Sequence, residues 1–313
     1  MSIHQPVMLN EVLEALDPRA HQTYIDATFG AGGYSRGILK AQEEARVIAL
    51  DRDPDAIKRS VPLKEEFGDR FSIVQTCFGE MKSVVLDGNY DGIVFDLGVS
   101  SPQLDEADRG FSFRATGPLD MRMSQSGKTA ADLVNSLPES ELADIIWKYG
   151  EERHSPRIAR AICTDRAEKP FETTQELADL IRRIVPGKPG DIDPATRTFQ
   201  ALRIAVNDEL GELERGLAAS EDLLQEGGRL VVVSFHSLED RIVKDFFRKR
   251  SGRMPQGSRH VPLMYPQDRP TFHQVYSKSV TATSDEIAEN SRARSAKLRW
   301  GKRVGKEPLH VNH

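Results

Sequence analysis

The first hundred residues of this 313-residue chain alternate short apolar or β-branched runs with segments of helical length, and then the alternation stops. The runs are Tyr24–Thr28, Arg46–Leu50, Phe71–Thr76 and Gly92–Phe95, and Asp55–Glu66 is one of the helical segments between them. Strand and helix in turn predict a parallel sheet with helices on both faces, because parallel neighbours need a crossover that returns over the sheet. The next run of comparable quality is Arg229–Ser234, after Gly227-Gly228.

The long interval between them reads as helical. Ser155-Pro156 supplies a cap and a first-turn proline for Arg157–Arg166, and Thr173-Thr174-Gln175-Glu176 contains a capping box ahead of Leu177–Val185. Ser140–Tyr149 is closed by Gly150, and Asp193-Pro194 opens a segment running to about Leu224. The fold expected is α/β: a Rossmann-like, doubly wound sheet (1–105 and 208–313) interrupted by an inserted helical, substrate-recognising lobe (106–207). After the fifth strand come a helix over Glu239–Arg250 and a Pro/Gly-rich stretch from Gly252 to Pro270. Two further strand candidates, His273–Thr281 and Ala296–Arg303, suit an antiparallel hairpin on the sheet edge.

Composition excludes several classes. A hydrophobic fraction of 38% with 29% charged residues describes an ordinary globular protein, and no run approaches the roughly 18 apolar residues of a membrane span. The opening residues lack the layout of a signal peptide, so a cytoplasmic location is expected. Cys77 and Cys163 stand without a partner at disulfide or metal spacing and read as small buried apolar residues; no metal is expected. Charge is uneven: 241–306 holds 16 Lys/Arg against 5 Asp/Glu, in a chain whose net charge is -5. That asymmetry suits a basic face meeting a polyanion, or a solvated surface with no partner.

In a doubly wound sheet the ligand lies beyond the carboxyl ends of the strands, where the first strand turns into its helix. Gly30, Gly32 and Gly33 fall at that turn and let backbone approach a nucleotide, although glycines also serve ordinary turns. Asp51, closing the second strand, suits a ribose diol of either NAD or S-adenosylmethionine. Asp26 separates the two. At the tip of the first strand it would oppose a pyrophosphate, whereas S-adenosylmethionine has no phosphate and carries two cationic groups. Asp96, ending the fourth strand, adds a third carboxyl to the same rim. Each acid alone is also an ordinary loop or helix cap.

Longer strings add a resemblance. They are Asp26-Ala-Thr-Phe-Gly-Ala-Gly-Gly33, Asp51-Arg-Asp-Pro54, Phe95-Asp-Leu-Gly-Val-Ser-Ser-Pro-Gln-Leu104, Arg109-Gly-Phe-Ser-Phe113 and Gly117-Pro-Leu-Asp-Met-Arg-Met123. Further on come Tyr149-Gly-Glu-Glu-Arg153, Pro194-Ala-Thr-Arg-Thr-Phe-Gln-Ala-Leu-Arg-Ile204, Ser234-Phe-His-Ser-Leu-Glu-Asp-Arg241 and Asn290-Ser-Arg-Ala-Arg-Ser295. From about His4 to Leu298 the chain resembles the bacterial ribosomal RNA small-subunit methyltransferase H family. The resemblance implies methyl transfer from S-adenosylmethionine to N4 of a cytidine in the decoding centre of 16S rRNA, at the ribosomal P site. It implies cofactor contacts at Gly32, Gly33, Tyr34, Asp51, Phe78, Asp96 and Gln103, to which the residue reading adds Asp26 and Gly30. Tyr34 departs from the family, some of whose members carry His there.

The exocyclic amine of cytosine is a poor nucleophile, so an enzyme must accept its hydrogen bonds and align it with the methyl group. Asp96 is a candidate for that acceptor or for a cofactor acceptor. His236, after the fifth strand, is a candidate to orient the base or take the released proton, or it merely heads a helix. Glu239 and Asp240 suit the N-terminus of that helix. Phe111, Phe113 and Phe235 are candidates to stack on a flipped base or are core. Phosphate contacts are expected among Arg241, Arg248, Lys249, Arg250, Arg292, Arg294, Lys297, Arg299, Lys302 and Arg303, with Arg153, Arg157 and Arg197 from the lobe. The partner expected is 16S rRNA, within the small ribosomal subunit; the sequence leaves a homodimer open. Two other readings stay open, a nicotinamide-dependent oxidoreductase and a noncatalytic RNA-binding assembly factor.

Overall fold

In the computed structural model, residues 6–85, 88–187, 190, 192–251, 270–274 and 278–305 are described. The strands are β1 (Thr23–Asp26), β2 (Arg46–Asp51), β3 (Phe71–Gln75), β4 (Tyr90–Asp96), β5 (Leu224–Ser234), β6 (Phe272–Gln274), β7 (Val280–Thr281) and β8 (Lys297–Arg303). Helices α1 (Leu9–Leu16), α2 (Gly33–Ala41), α3 (Pro54–Arg59), α4 (Val61–Phe67) and α5 (Met81–Val84) precede α6 (Ser101–Asp105), α7 (Ala130–Ser136), α8 (Glu139–Gly150) and α9 (Ser155–Arg166). Then come α10 (Thr174–Ile184), α11 (Ala195–Asn207), α12 (Glu209–Leu223), α13 (Ser237–Arg250) and α14 (Ser284–Glu289). Among the described residues no helix is long and apolar enough to cross a membrane.

The chain divides into two compact units, Met1–Gly98 with Gly211–His313, and Val99–Leu210. Their seams fall at 98/99 and 210/211, against the 105/106 and 207/208 read from strand spacing. The first unit holds one sheet in the order β3-β2-β1-β4-β5-β8-β6, with β7 also on β8. Its first five strands are parallel, and β8 is antiparallel to β5, β6 and β7.

Successive strand residues point to opposite faces, and here both faces are buried. Tyr24, Val94, Val231 and Val233 pack with Leu16 of α1 and Ile38 and Leu39 of α2. Their neighbours Ile25, Ile93, Phe95, Leu230 and Val232 pack with Leu213 and Leu217 of α12 and Phe247 of α13. Near-continuous apolar runs are what a strand buried on both sides requires. The second unit is a helical bundle with its own core, in which Leu142, Ile146, Ile158, Ile162, Leu177, Ile181 and Leu202 are buried.

Several expected elements are broken by local chemistry. The helix read over Asp55–Glu66 becomes α3 and α4, since Pro62 lacks the N–H that would continue α3. The segment from Asp193 to Leu224 becomes α11 and α12, separated by Asp208 in the left-handed region at φ 49. Asn207 fixes that break from within the bundle: its Nδ2 donates to the carbonyls of Met121 and Arg203, and its Oδ1 accepts the Met123 N–H. β5 begins at Leu224 rather than Arg229, with an irregular pairing to β4 between Tyr90 and Gly92. His273–Thr281 contributes two short strands; 275–277 lie outside the described residues, as do 252–269 of the Pro/Gly-rich stretch. Cys77 and Cys163 are half-buried rather than buried, and burial pushes the Cys77 thiol up.

Candidate active site

Parallel pairing aligns the carboxyl ends of β1, β2 and β4, so Asp26, Asp51 and Asp96 stand on one rim. From Asp26 the chain rises into a loop that stays tied to both neighbours: Ala27 N–H donates to Val94 O and Phe29 N–H to Leu50 O, each at 2.9 Å. Gly30 and Gly32 then take φ of 55 and 80, a region in which a side chain is strained. A Cβ on Gly32 would also meet the Phe29 ring at 2.8 Å. Glycine is needed here by the turn itself, with α2 starting on its far side.

The acids hold this turn in different ways. Asp51 Oδ2 accepts the Gly30 N–H at 2.7 Å, and its Oδ1 accepts the Asp53 N–H at 2.8 Å. Each oxygen keeps a second lone pair for a ligand hydroxyl. Asp26 is turned inward, only 1% exposed. Its Oδ2 accepts from the Ser35 hydroxyl at 2.6 Å and the Ser35 N–H at 3.1 Å, and its Oδ1 from the Thr28 N–H at 3.3 Å. Asp26 therefore builds the loop, a revision of its expected place among direct cofactor contacts. Asp96 differs again. Its backbone N–H donates to Thr28 Oγ1 at 2.6 Å, which ties β4 to the turn, while its buried Oδ1 has no hydrogen-bond partner among the described residues.

Burial raises all three carboxyl groups. Asp26 is pushed to about 6, against the hydrogen bonds it accepts, and Asp51 is raised despite the two N–H groups it accepts. Asp96 is pushed to about 8, by burial first and then by the neighbouring Asp26 and Glu239. Buried acids crowded together without a cation disfavour their own ionisation. A sulfonium or ammonium on this rim reverses that, and the orphaned Oδ1 of Asp96 is an acceptor in wait for a donor. The residues thus fit S-adenosylmethionine.

The remaining expected residues divide. Gly33 starts α2, and a Cβ there would lie 2.2 Å from Pro6 Cγ. Tyr34 is buried, its hydroxyl donating to the Val7 carbonyl at 2.6 Å, so its side chain serves the core. Phe78, just after β3, packs edge-on against Phe95 with ring centres 5.4 Å apart. Gln103 belongs to the second unit, where its Oε1 accepts the Ser100 N–H at 3.0 Å.

His236 caps α13: its Nδ1 accepts the Glu239 N–H at 3.4 Å, and its Nε2 lies 3.0 Å from Glu239 Oε1, at ion-pair distance but outside hydrogen-bond geometry. The ring thus heads α13 through Nδ1, and its buried Nε2 has no hydrogen-bond partner among the described residues. Glu239 completes the cap with Oε2, which accepts the N–H groups of Phe235 and His236. Asp240 leaves the helix end for β8, pairing with Arg299 at 2.7 Å and Lys297 at 3.2 Å.

The basic residues divide likewise. Arg299 and Arg303 are buried, Arg303 donating to the carbonyls of Glu221, Thr271 and Val304; Arg250 pairs with Glu221 at 2.6 Å. Arg299 and Arg303 thus face the fold, and Arg250 is half-buried. Arg241, Arg248, Lys249, Arg294 and Lys302 are exposed, while Arg292 and Lys297 are half-buried. Phe111 is core of the second unit, Phe113 packs on Phe199, and Phe235 packs against the first core. Thr28 and Ser35, which join the acids to the turn, carried no signal at the sequence level beyond lying in and beside the glycine string.

A parallel five-strand core, a left-handed glycine turn and acids at three strand tips define a Rossmann-like methyltransferase. The chain belongs to the MraW methylase family, whose pattern matches residues 1–304. It is 57% identical over 304 residues, 96% of this chain and 88% of the relative, to the ribosomal RNA small subunit methyltransferase H of Methylocella silvestris. The protein of the same name from Rhodospirillum rubrum is 55% identical over 303 residues, 95% of this chain and 93% of the relative. Among solved structures the chain is similar to an rRNA methylase from Streptococcus thermophilus, at 10% identity and TM-score 0.43, covering 97% of this chain and all of that one. The cofactor is S-adenosylmethionine.

Proposed function

We propose that this protein methylates N4 of a cytidine in the decoding centre of 16S ribosomal RNA, at the P site, acting on the small ribosomal subunit. The names of the relatives support ribosomal RNA as the acceptor. The observation that carries the amine chemistry is the buried, unpartnered Oδ1 of Asp96 beside the glycine turn. An amide-like exocyclic amine needs an acceptor in a dry site, and this oxygen is one.

When bound, S-adenosylmethionine supplies an electrophilic methyl group on a sulfonium. The backbone of the glycine turn and the Asp51 carboxylate would hold it, Asp51 through the lone pairs left over from the two N–H groups it accepts. Asp96, ionised beside the cation, accepts a hydrogen bond from N4 and so localises the nitrogen lone pair. Asp96 Oδ1, on a carboxyl whose surroundings favour holding a proton, would take up the one that N4 gives up on methylation. His236 and Glu239 fix the loop after β5. Exposed Arg241, Arg294 and Lys302, with Arg292 and Lys297, supply cationic surface for phosphates.

Mass spectrometry of nucleosides from small-subunit rRNA of cells lacking the protein tests this. Loss of N4-methylcytidine, restored by the wild-type chain and not by Asp96→Asn, is the expected result; an unchanged signal refutes it.

A further inference from the structure

The second unit holds a cavity of about 380 Å3 within its own boundaries. Glu152 and Arg153, between α8 and α9, form one side, Val185 after α10 another, and Ile192, Pro194 and Arg197 at the start of α11 a third. The size falls within the roughly 300–1,000 Å3 of small-ligand sites.

Glu152 is the unusual member. It is 4% exposed, a carboxyl group brought into the fold, yet among the described residues its one hydrogen bond is from the N–H of His154, at 2.8 Å on Oε1. Oε2 forms a long ion pair with Arg197 Nη1 at 4.0 Å, beyond hydrogen-bond distance, and the Arg197 side chain is 57% exposed. A buried carboxyl with acceptor capacity left over is costly unless something donates to it. The other acid on the wall, Asp193, is engaged: it pairs with Arg182 at 2.9 Å and accepts the Ala195 N–H at 2.9 Å. Arg153 is exposed, and Ile192, at 78% exposure, adds an apolar side chain to the lining.

We propose that this cavity binds an unpaired guanosine of the RNA substrate, a nucleotide other than the one methylated; the inference rests on the reading of this chain as an RNA methylase. Among the four bases only guanine sets two donors side by side on its Watson–Crick edge, N1–H and N2–H, which one carboxylate accepts together. Uracil and cytosine offer a single donor there, and adenine sets an acceptor beside its amine. Arg153 and Arg197 take the flanking phosphates, and Ile192 with Pro194 covers the base face.

Fluorescence anisotropy with the full-length protein compares labelled hexauridine with the same oligomer carrying one central guanosine. The guanosine oligomer binds about ten-fold tighter. Glu152→Gln turns an amide toward the two donors and removes that preference, while the surface change Arg153→Ala weakens both oligomers alike. Equal binding of the two oligomers by the wild-type protein overturns the proposal, as does a preference that survives Glu152→Gln or an Arg153→Ala variant that binds both as wild type does. Guanosine monophosphate bound as tightly as the oligomer also overturns it, by assigning the cavity to a free nucleotide. Methyl incorporation into small subunits is measured in parallel: incorporation without guanosine preference fails the pocket alone, and its absence fails the methylase reading.

Discussion

Asp51 holds Gly30 from the neighbouring strand, its Oδ2 accepting the glycine N–H at 2.7 Å. One carboxylate thereby shapes the turn and keeps lone pairs that a ribose diol would use. Asp51→Ala removes both, so S-adenosylmethionine affinity falls by about 1–3 kcal/mol, the cost of leaving such groups unpaired. Calorimetric titration of the two proteins measures it. Equal affinity would remove Asp51 from the site.

Asp96 gives the free protein a pH signature. Its carboxyl is pushed to about 8, so between about pH 4, where an unfolded aspartate ionises, and 8 the folded state keeps a proton that the unfolded state has lost. The stability the group contributes is full at the acid end and is lost as pH rises through that window. Asp96→Asn does not titrate. Without cofactor its melting temperature should match the wild type near pH 4 and exceed it by a growing margin towards pH 8, where a constant difference would contradict the assignment. The bound cation favours ionised Asp96, so wild-type cofactor binding should also tighten across the same window and release a proton.

How much of this was legible in the sequence follows from what sets each feature. Strands buried on both faces announce themselves by runs such as Ile93-Val94-Phe95, and caps by strings such as Thr173–Glu176, since both depend on neighbours in sequence. The break at Asp208 depends on Asn207 reaching Met121 and Met123, more than eighty positions away, and no local signal carries it. The site divides in the same way. That acids close β1, β2 and β4 is legible; which one is left with an unpaired oxygen is decided by Ser35 and Thr28, whose partners appear only once the strands are side by side. For His236, pattern alone left catalyst and cap open, and the structure shows the cap made through Nδ1.

Asp240 joins α13 to β8 through Arg299, whose side chain is 7% exposed, and through Lys297, at 43%. The two contacts should differ in weight. Removing the acid strands a buried guanidinium, so Asp240→Ala destabilises by about 3–5 kcal/mol. Lys297→Ala loses a solvent-screened pair worth about 0–1 kcal/mol. Chemical denaturation of both variants checks the order, and similar losses would show that Lys297 is the main partner.

The C-terminal basic region should make RNA binding salt-sensitive, and its arginines should not be equivalent. Arg294 is exposed in the turn after α14, free to meet a phosphate. Arg303 is 8% exposed and donates to three backbone carbonyls, so it faces the fold. Neutralising a phosphate contact lowers the dependence of log affinity on log salt by about 0.7 on single-stranded RNA. Arg294→Ala should therefore flatten that slope by about this amount with little change in melting temperature. Arg303→Ala should lower the melting temperature and leave the slope of the folded protein as it was. Binding indifferent to ionic strength in the wild type, or a slope that responds to Arg303 and not to Arg294, would move the RNA-facing surface elsewhere on the chain.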